Sequence, residues 1–166
     1  MMIPEKMNQK LNEQITNEFH AAYSYLAMSC ALGGMGLKIL SKWFLTHAAE
    51  EREHAMRILK YVQEVGGTVS LGPLPEPRGS YGSAAEIVQS ALDHELAVTD
   101  QINVLVAQAE AEKDYASRSF LQWFVDEQVE EVSVISELLQ LIKMAGDKNI
   151  LQVEARVARM MEEEAH

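Results

Sequence analysis

The chain predicts an all-α fold: a bundle of four long helices, with one long crossover between the second and third and a short fifth helix at the end. Three observations carry this reading. Apolar residues recur with alternating steps of three and four over almost the whole chain, the spacing that keeps side chains on one face of a helix. Alternation at period two, the mark of a half-buried strand, is nowhere sustained. Most of the glycines and prolines are gathered in GGTVSLGPLPEPRGSYGS, which leaves the rest of the chain free for long helices.

Each element has its own start and stop signals. The first helix is expected near Pro4, a favoured first-turn residue, and should stop before Gly33, Gly34 and Gly36. The second should start near Lys38 and end at Gly66-Gly67. Ser83 is a plausible N-cap for a third helix over about 84–112. A polar break at Lys113 and Asp114 precedes a fourth over about 115–145, closed by Gly146. Asp147 would then cap the fifth, over about 147–163. Long helices of about 28 residues span about 42 Å, and a connection of about 18 residues can reach about 55–60 Å. It can therefore cross the whole bundle, so helices two and three can run parallel while the short links make antiparallel neighbours.

Length and composition bound the function. With 166 residues, nearly half of them apolar, the chain is expected to form a single domain over 1–166, its bundle covering about 4–145. One cysteine, Cys30, cannot close an internal disulfide, and the opening MMIPEKMNQK has no apolar run of a signal or membrane span. A cytoplasmic location is expected. The net charge of -11 disfavours nucleic acid and anionic membrane surfaces and suits cations.

The helical stripes carry the chemistry. The first reads Leu11, Ile15, Glu18, Ala22, Tyr25, Ser29; the second reads Leu40, Phe44, His47, Glu51, His54, Ile58. The third places Glu95 between Ala91 and Val98, and the fourth places Gln128 and Glu131 between Phe124 and Ile135. An acid therefore interrupts each apolar stripe near its midpoint, so Glu18, Glu51, Glu95 and Glu131 should meet at one level. Four ionised carboxylates in an apolar interior repel one another and lose hydration, at several kcal/mol each, unless protonated or neutralised. Two divalent cations balance four glutamates. Glu51 and His54, three residues apart, share a helix face and can hold one ion, while the second oxygen of Glu51 can reach another. Carboxylates with one imidazole suit iron or manganese better than a thiolate-seeking metal, although zinc can enter such sites. The competing reading is an acidic cluster, partly protonated and hydrogen-bonded internally. His47, one turn before Glu51, reads as a hydrogen-bonded core histidine.

Together LNEQITNEFHAAYSYLAMS, HAAEEREHAMRIL, DHELAVTDQIN and FLQWFVDEQVEEV resemble the non-haem bacterial ferritins, a ferritin-like di-iron family, over essentially the whole chain. The resemblance implies a ferroxidase that binds two Fe(II) per subunit, oxidises them to Fe(III) with O2 or H2O2, and deposits ferric oxide mineral inside a homo-oligomeric cage, usually of twenty-four subunits. By motif, one iron would be held by Glu18, Glu51 and His54 and its partner by Glu51, Glu95 and Glu131. Gln128 matches a glutamine near the oxygen-binding space, and Tyr25 a tyrosine beside the centre that donates a hydrogen bond or an electron. Trp123 is a second candidate electron donor. Glu50, Glu127, Glu130 and Glu131 match a third iron site, although these acids also fit a solvated helix face.

Two departures separate relatives. Glu127-Gln128-Val129-Glu130 ends in acid where bacterioferritins and rubrerythrins repeat Glu-x-x-His, and Arg52 stands where a haem-ligating methionine would follow the bridging glutamate. Haem is not expected. Two other classes stay open: a helical protein that buffers metal without turning over O2, and a di-iron or di-manganese oxidase acting on an organic substrate.

Overall fold

The computed structural model describes residues 2–165. It contains α1 (Glu5–Gly34), α2 (Lys38–Glu64), α3 (Ala84–Ala111), α4 (Tyr115–Ala145), a 3-10 turn (Asp147–Asn149) and α5 (Ile150–Glu164). This is the all-α ferritin-like bundle expected, with its long crossover and short last helix. α1 packs along α2 and α3 along α4, with α1 also meeting α3.

Helix ends follow local chemistry. α1 runs through Gly33 and Gly34 instead of stopping before them, because both still hydrogen-bond within the last turn. The chain reverses only at Gly36, at φ 81°, where Gly36 N–H donates to Gly33 O (3.0 Å) and Leu37 N–H to Leu32 O (3.0 Å). α2 ends the same way on Gly66, at φ 75°. α3 repeats the pattern on Lys113, with Asp114 N–H donating to Ala109 O (2.8 Å). Ser83 caps α3 as expected, accepting from Glu86 N–H (3.2 Å), and Asp114 caps α4 by accepting from Ser117 N–H (3.1 Å).

The expected cap at Asp147 does not form. Gly146, at φ 69°, leads into the 3-10 turn, so α5 begins after Asn149, which makes no side-chain cap. Asn149 Nδ2 instead donates to Ala145 O (3.0 Å), satisfying a carbonyl at the end of α4.

The connection after α2 is held by a ladder on α1. Asn8 Oδ1 accepts from Thr68 N–H (3.2 Å), Asn12 Oδ1 from Ser70 N–H (2.6 Å) and Thr16 Oγ1 from Gly72 N–H (3.3 Å). These residues are four apart on one face of α1, so the connection follows α1 back to the end where α2 began. α3 therefore starts beside the start of α2, and Ala84 and Ile87 share a core with Leu40.

That core has two blocks. One contains Tyr25, Leu32, Leu40, Phe44, Ile87, Ile135 and Ile142; the other contains Met7, Leu11, Ile15, Ile58, Ile102, Leu121 and Phe124. Between them, at the middle of all four long helices, lies a polar layer.

Candidate metal centre

The layer is made of the acids that interrupt the stripes. Glu18, Glu51, Glu95 and Glu131 are all buried, as are His54 and Gln128. No Cα atom of α2 comes within 8 Å of one on α4, so long polar side chains fill the space between these helices. His54 Nε2 lies 3.7 Å from Glu127 Oε1, and His47 Nδ1 lies 3.4 Å from Glu131 Oε2.

Two sets of donor atoms, each clustered within 4.8 Å, correspond to the two expected positions: Glu18, Glu51 and His54, and Glu51, Glu95 and Glu131. Glu51 belongs to both, as a bridging ligand must. Two further sets lie beside them, His54 with Glu127 and Glu131, and His47 with Glu50 and Glu131. Glu50 and Glu127 thus join the centre's edge. Glu130 is exposed and joins none of these sets.

Neighbouring side chains orient the ligands. Glu95 is held at both oxygens: the Tyr25 hydroxyl donates to Oε1 (2.7 Å), and Gln128 Nε2 donates to Oε2 (3.0 Å). Gln14 Nε2 donates to Glu18 Oε1 (2.7 Å). Glu18 Oε2 and Glu131 Oε2, by contrast, are buried without a hydrogen-bond partner. Oxygens left so in an apolar interior are costly unless a cation or proton satisfies them, and carboxylate oxygens are the donors a hard divalent cation takes. The residues fit a metal.

Electrostatics agree. Burial raises the Glu18 carboxyl above its ordinary range. Burial, followed by the charges of Glu18 and Glu95, raises Glu51 well above it. The metal-free layer therefore holds protons that bound cations would displace. Burial opposes ionisation of Glu131, but the imidazole of His47, close by and attractive to its negative charge, outweighs it and lowers its pKa. Burial also opposes charging of His47, and Glu131 reverses that too, so the imidazole is raised. Burial, reinforced by Glu95, keeps the Tyr25 hydroxyl neutral as a donor.

His47 departs from the expectation of a hydrogen-bonded core histidine. It is buried, but its Nδ1 has no well-formed hydrogen bond and stands 3.3 Å from Glu50 Oε2. Its place on the stripe signalled burial; only the positions of Glu50 and Glu131 show that it faces the centre. Gln14, also missed, gave no stripe signal of its role. Trp123 packs edge-on against His54, with ring centroids 5.4 Å apart, and carries the Arg57 guanidinium over its face at 3.9 Å.

Comparison with known proteins places this geometry. The family model described as a ferritin-like domain matches residues 8–145. The chain belongs to the ferritin-like family. Its relatives include a probable bacterial non-heme ferritin-like protein of Haemophilus influenzae, 34% identical over 146 residues and 88% of each chain. A bacterial non-heme ferritin of Campylobacter jejuni is 33% identical over 146 residues, covering 88% of this chain and 87% of that one. Among solved structures, an open pore ferritin from the hyperthermophilic archaeon Archaeoglobus fulgidus superposes with a TM-score of 0.92 at 36% identity, over 94% of this chain and 96% of that one. Both the bundle and the motifs that build its polar layer thus fall within a ferritin-like domain.

Proposed function

We propose that the protein is an iron-storage ferritin with ferroxidase activity, and that Fe(II) is its substrate and cargo. The observation that carries this reading is Glu51, a buried carboxylate shared by two adjoining sets of metal donors, one completed by Glu18 and His54, the other by Glu95 and Glu131. Ions held on either side of one carboxylate lie close enough to meet a single O2 molecule. Each ferrous ion gives one electron, so the pair supplies the two electrons of a first reduction. Four carboxylates stabilise the higher charge of Fe(III) more than that of Fe(II), which favours oxidation.

The chain's own groups prepare this step. Glu18 and Glu51 lose protons as cations arrive, while Tyr25 and Gln128 hold Glu95 in place. Glu50 and Glu127, with Glu130 at the exposed rim, provide a third position beside the pair; His47 faces the same position. Ferric product would pass from there into the cavity of a homo-oligomeric cage and be stored as oxide mineral, in the cytoplasm. The ferritin relatives and the closely superposing archaeal ferritin support assembly of this kind.

The test is stopped-flow absorbance after Fe(II) is added to aerobic metal-free protein. Wild type should show a fast phase that saturates near two irons per subunit, and Glu51→Ala and His54→Ala should lack it. Equal rates in all three would leave a passive acidic cluster.

A further inference from the structure

Among the clefts that reach the polar layer, two on different sides differ most in chemistry. Between α2 and α4, a cleft of about 390 Å³ is lined by three acids, Glu50, Glu53 and Glu127, against one cation, Arg57, whose guanidinium lies over Trp123, together with His54, itself a member of the centre. Between α3 and α4, a cleft of about 430 Å³ has no titratable side chain among its lining residues. Leu96, Ile102, Val125, Val129 and Val132 form its walls. Leu96 and Val129 keep apolar lips in water, 47% and 70% exposed.

The floor of this second cleft is Thr99 and Gln128. Gln128 Nε2 bonds to Thr99 Oγ1 (3.2 Å) on the same helix as Glu95, and to Glu95 O (3.2 Å) as well as to its carboxylate. A single carboxamide therefore separates an apolar passage from the metal donors.

Each cleft suits a different reactant. A cation gains from facing carboxylates and loses hydration in a passage that offers none. A small uncharged molecule gains nothing from acids but partitions into an apolar cavity, as such cavities take up gases. We infer that the α3–α4 cleft is the entrance for dioxygen, with Gln128 as the last partition before the centre, while the acidic α2–α4 cleft admits the cations. The inference rests on the ferroxidase reading and adds separate routes for its two reactants. Separate routes keep a waiting iron from blocking the oxidant.

Crystals of metal-free protein under xenon pressure, together with O2-dependent kinetics, test it. Val132→Phe fills the wall one turn from Gln128 without removing a ligand or hydrogen bond. Val129→Trp fills the exposed lip, where the fold tolerates bulk. Wild type should hold xenon in the cleft and both variants should exclude it. The KM for O2 should rise several-fold in both, with kcat at saturating O2 and anaerobic Co(II) binding unchanged. Absence of xenon from the wild-type cleft, or an unchanged KM for O2 in the filled variants, would overturn the route while leaving the ferroxidase intact. Loss of Co(II) binding in both variants would also overturn it, showing that these residues support the centre instead. If wild type showed no O2-dependent oxidation at all, the ferroxidase reading would fail, and the cleft would lose its assigned gas even with xenon bound.

Discussion

Lys113 is the only non-glycine with positive φ among the described residues, at 54°. It ends α3 with the bond pattern that Gly36 and Gly66 use on α1 and α2, but its Cβ crowds the following carbonyl, at a cost of about 1 kcal/mol. Lys113→Gly should therefore stabilise the protein by up to about 1 kcal/mol, read as a higher midpoint in urea. The opposite outcome is expected at Tyr25, whose hydroxyl is buried against Glu95. Tyr25→Phe leaves Glu95 Oε1 without this donor and should lower stability by about 1–2 kcal/mol, checked by the same titration. At this scale the buried acids of the layer were legible because each breaks a periodic apolar stripe. Of the side chains that orient them, Tyr25 and Gln128 were named from the sequence, and others were not. Gln14, and the facing of His47 toward Glu50 and Glu131, depend on rotamers and on neighbouring helices, which no spacing within one helix records.

Among elements, α5 contributes more than a surface cover. Leu37 gives α2 no side-chain cap, and the missing acceptor comes from α5: the Glu154 carboxylate accepts from Leu40 N–H (2.6 Å) and Ile39 N–H (3.3 Å) while 7% exposed. An anion at a helix start satisfies free N–H groups and complements the helix dipole. Glu154→Ala should cost about 1–2 kcal/mol, measured by thermal melting, and hydrogen exchange should rise first at Ile39 and Leu40. Helix boundaries were largely legible, since glycine, proline, serine and aspartate mark most of them. The start of α5 was misread because Gly146 turns the backbone into a 3-10 segment before Asp147 can cap. The ladder from Asn8, Asn12 and Thr16 was invisible for a different reason: it bonds backbone groups more than fifty residues away.

For the whole molecule, pH and metal should act together. The raised carboxyls of Glu18 and Glu51 and the raised imidazole of His47 contribute stability at low pH that is lost as pH rises through their folded-state values. Glu131 is lowered, so its contribution is present above the ordinary carboxylate range and lost only as pH falls through its folded-state value. Burial lowers the His94 imidazole, which works the other way, but Glu50 and Glu127 are raised as well, so chelated protein should lose thermal stability as pH rises above the ordinary carboxylate range. A redox-inert divalent cation such as Zn(II) should reverse this, by about 2.7 kcal/mol at a hundredfold excess over Kd, with a larger gain at pH 7.5 than at pH 5.5 because the ligands must be deprotonated. Circular-dichroism melts across pH, with and without Zn(II), would show it. Topology at this scale was legible from length alone: only the long connection could span the bundle. The cleft between α3 and α4 was not, because an empty volume has no residue of its own.

The polar layer that parts the two apolar blocks also governs how the bundle opens. Regions joined by few buried apolar contacts open as partly separate cooperative units, and the layer between the two blocks is polar. In the metal-free chain the two ends should unfold as partly separate units, with distinct hydrogen-exchange protection for Leu40 and Ile58. A pair of cations gripping all four helices at their middle would act as a rivet and bring those values together. The arrival of cargo would then be felt as stiffness at both ends of a bundle whose ends it never touches.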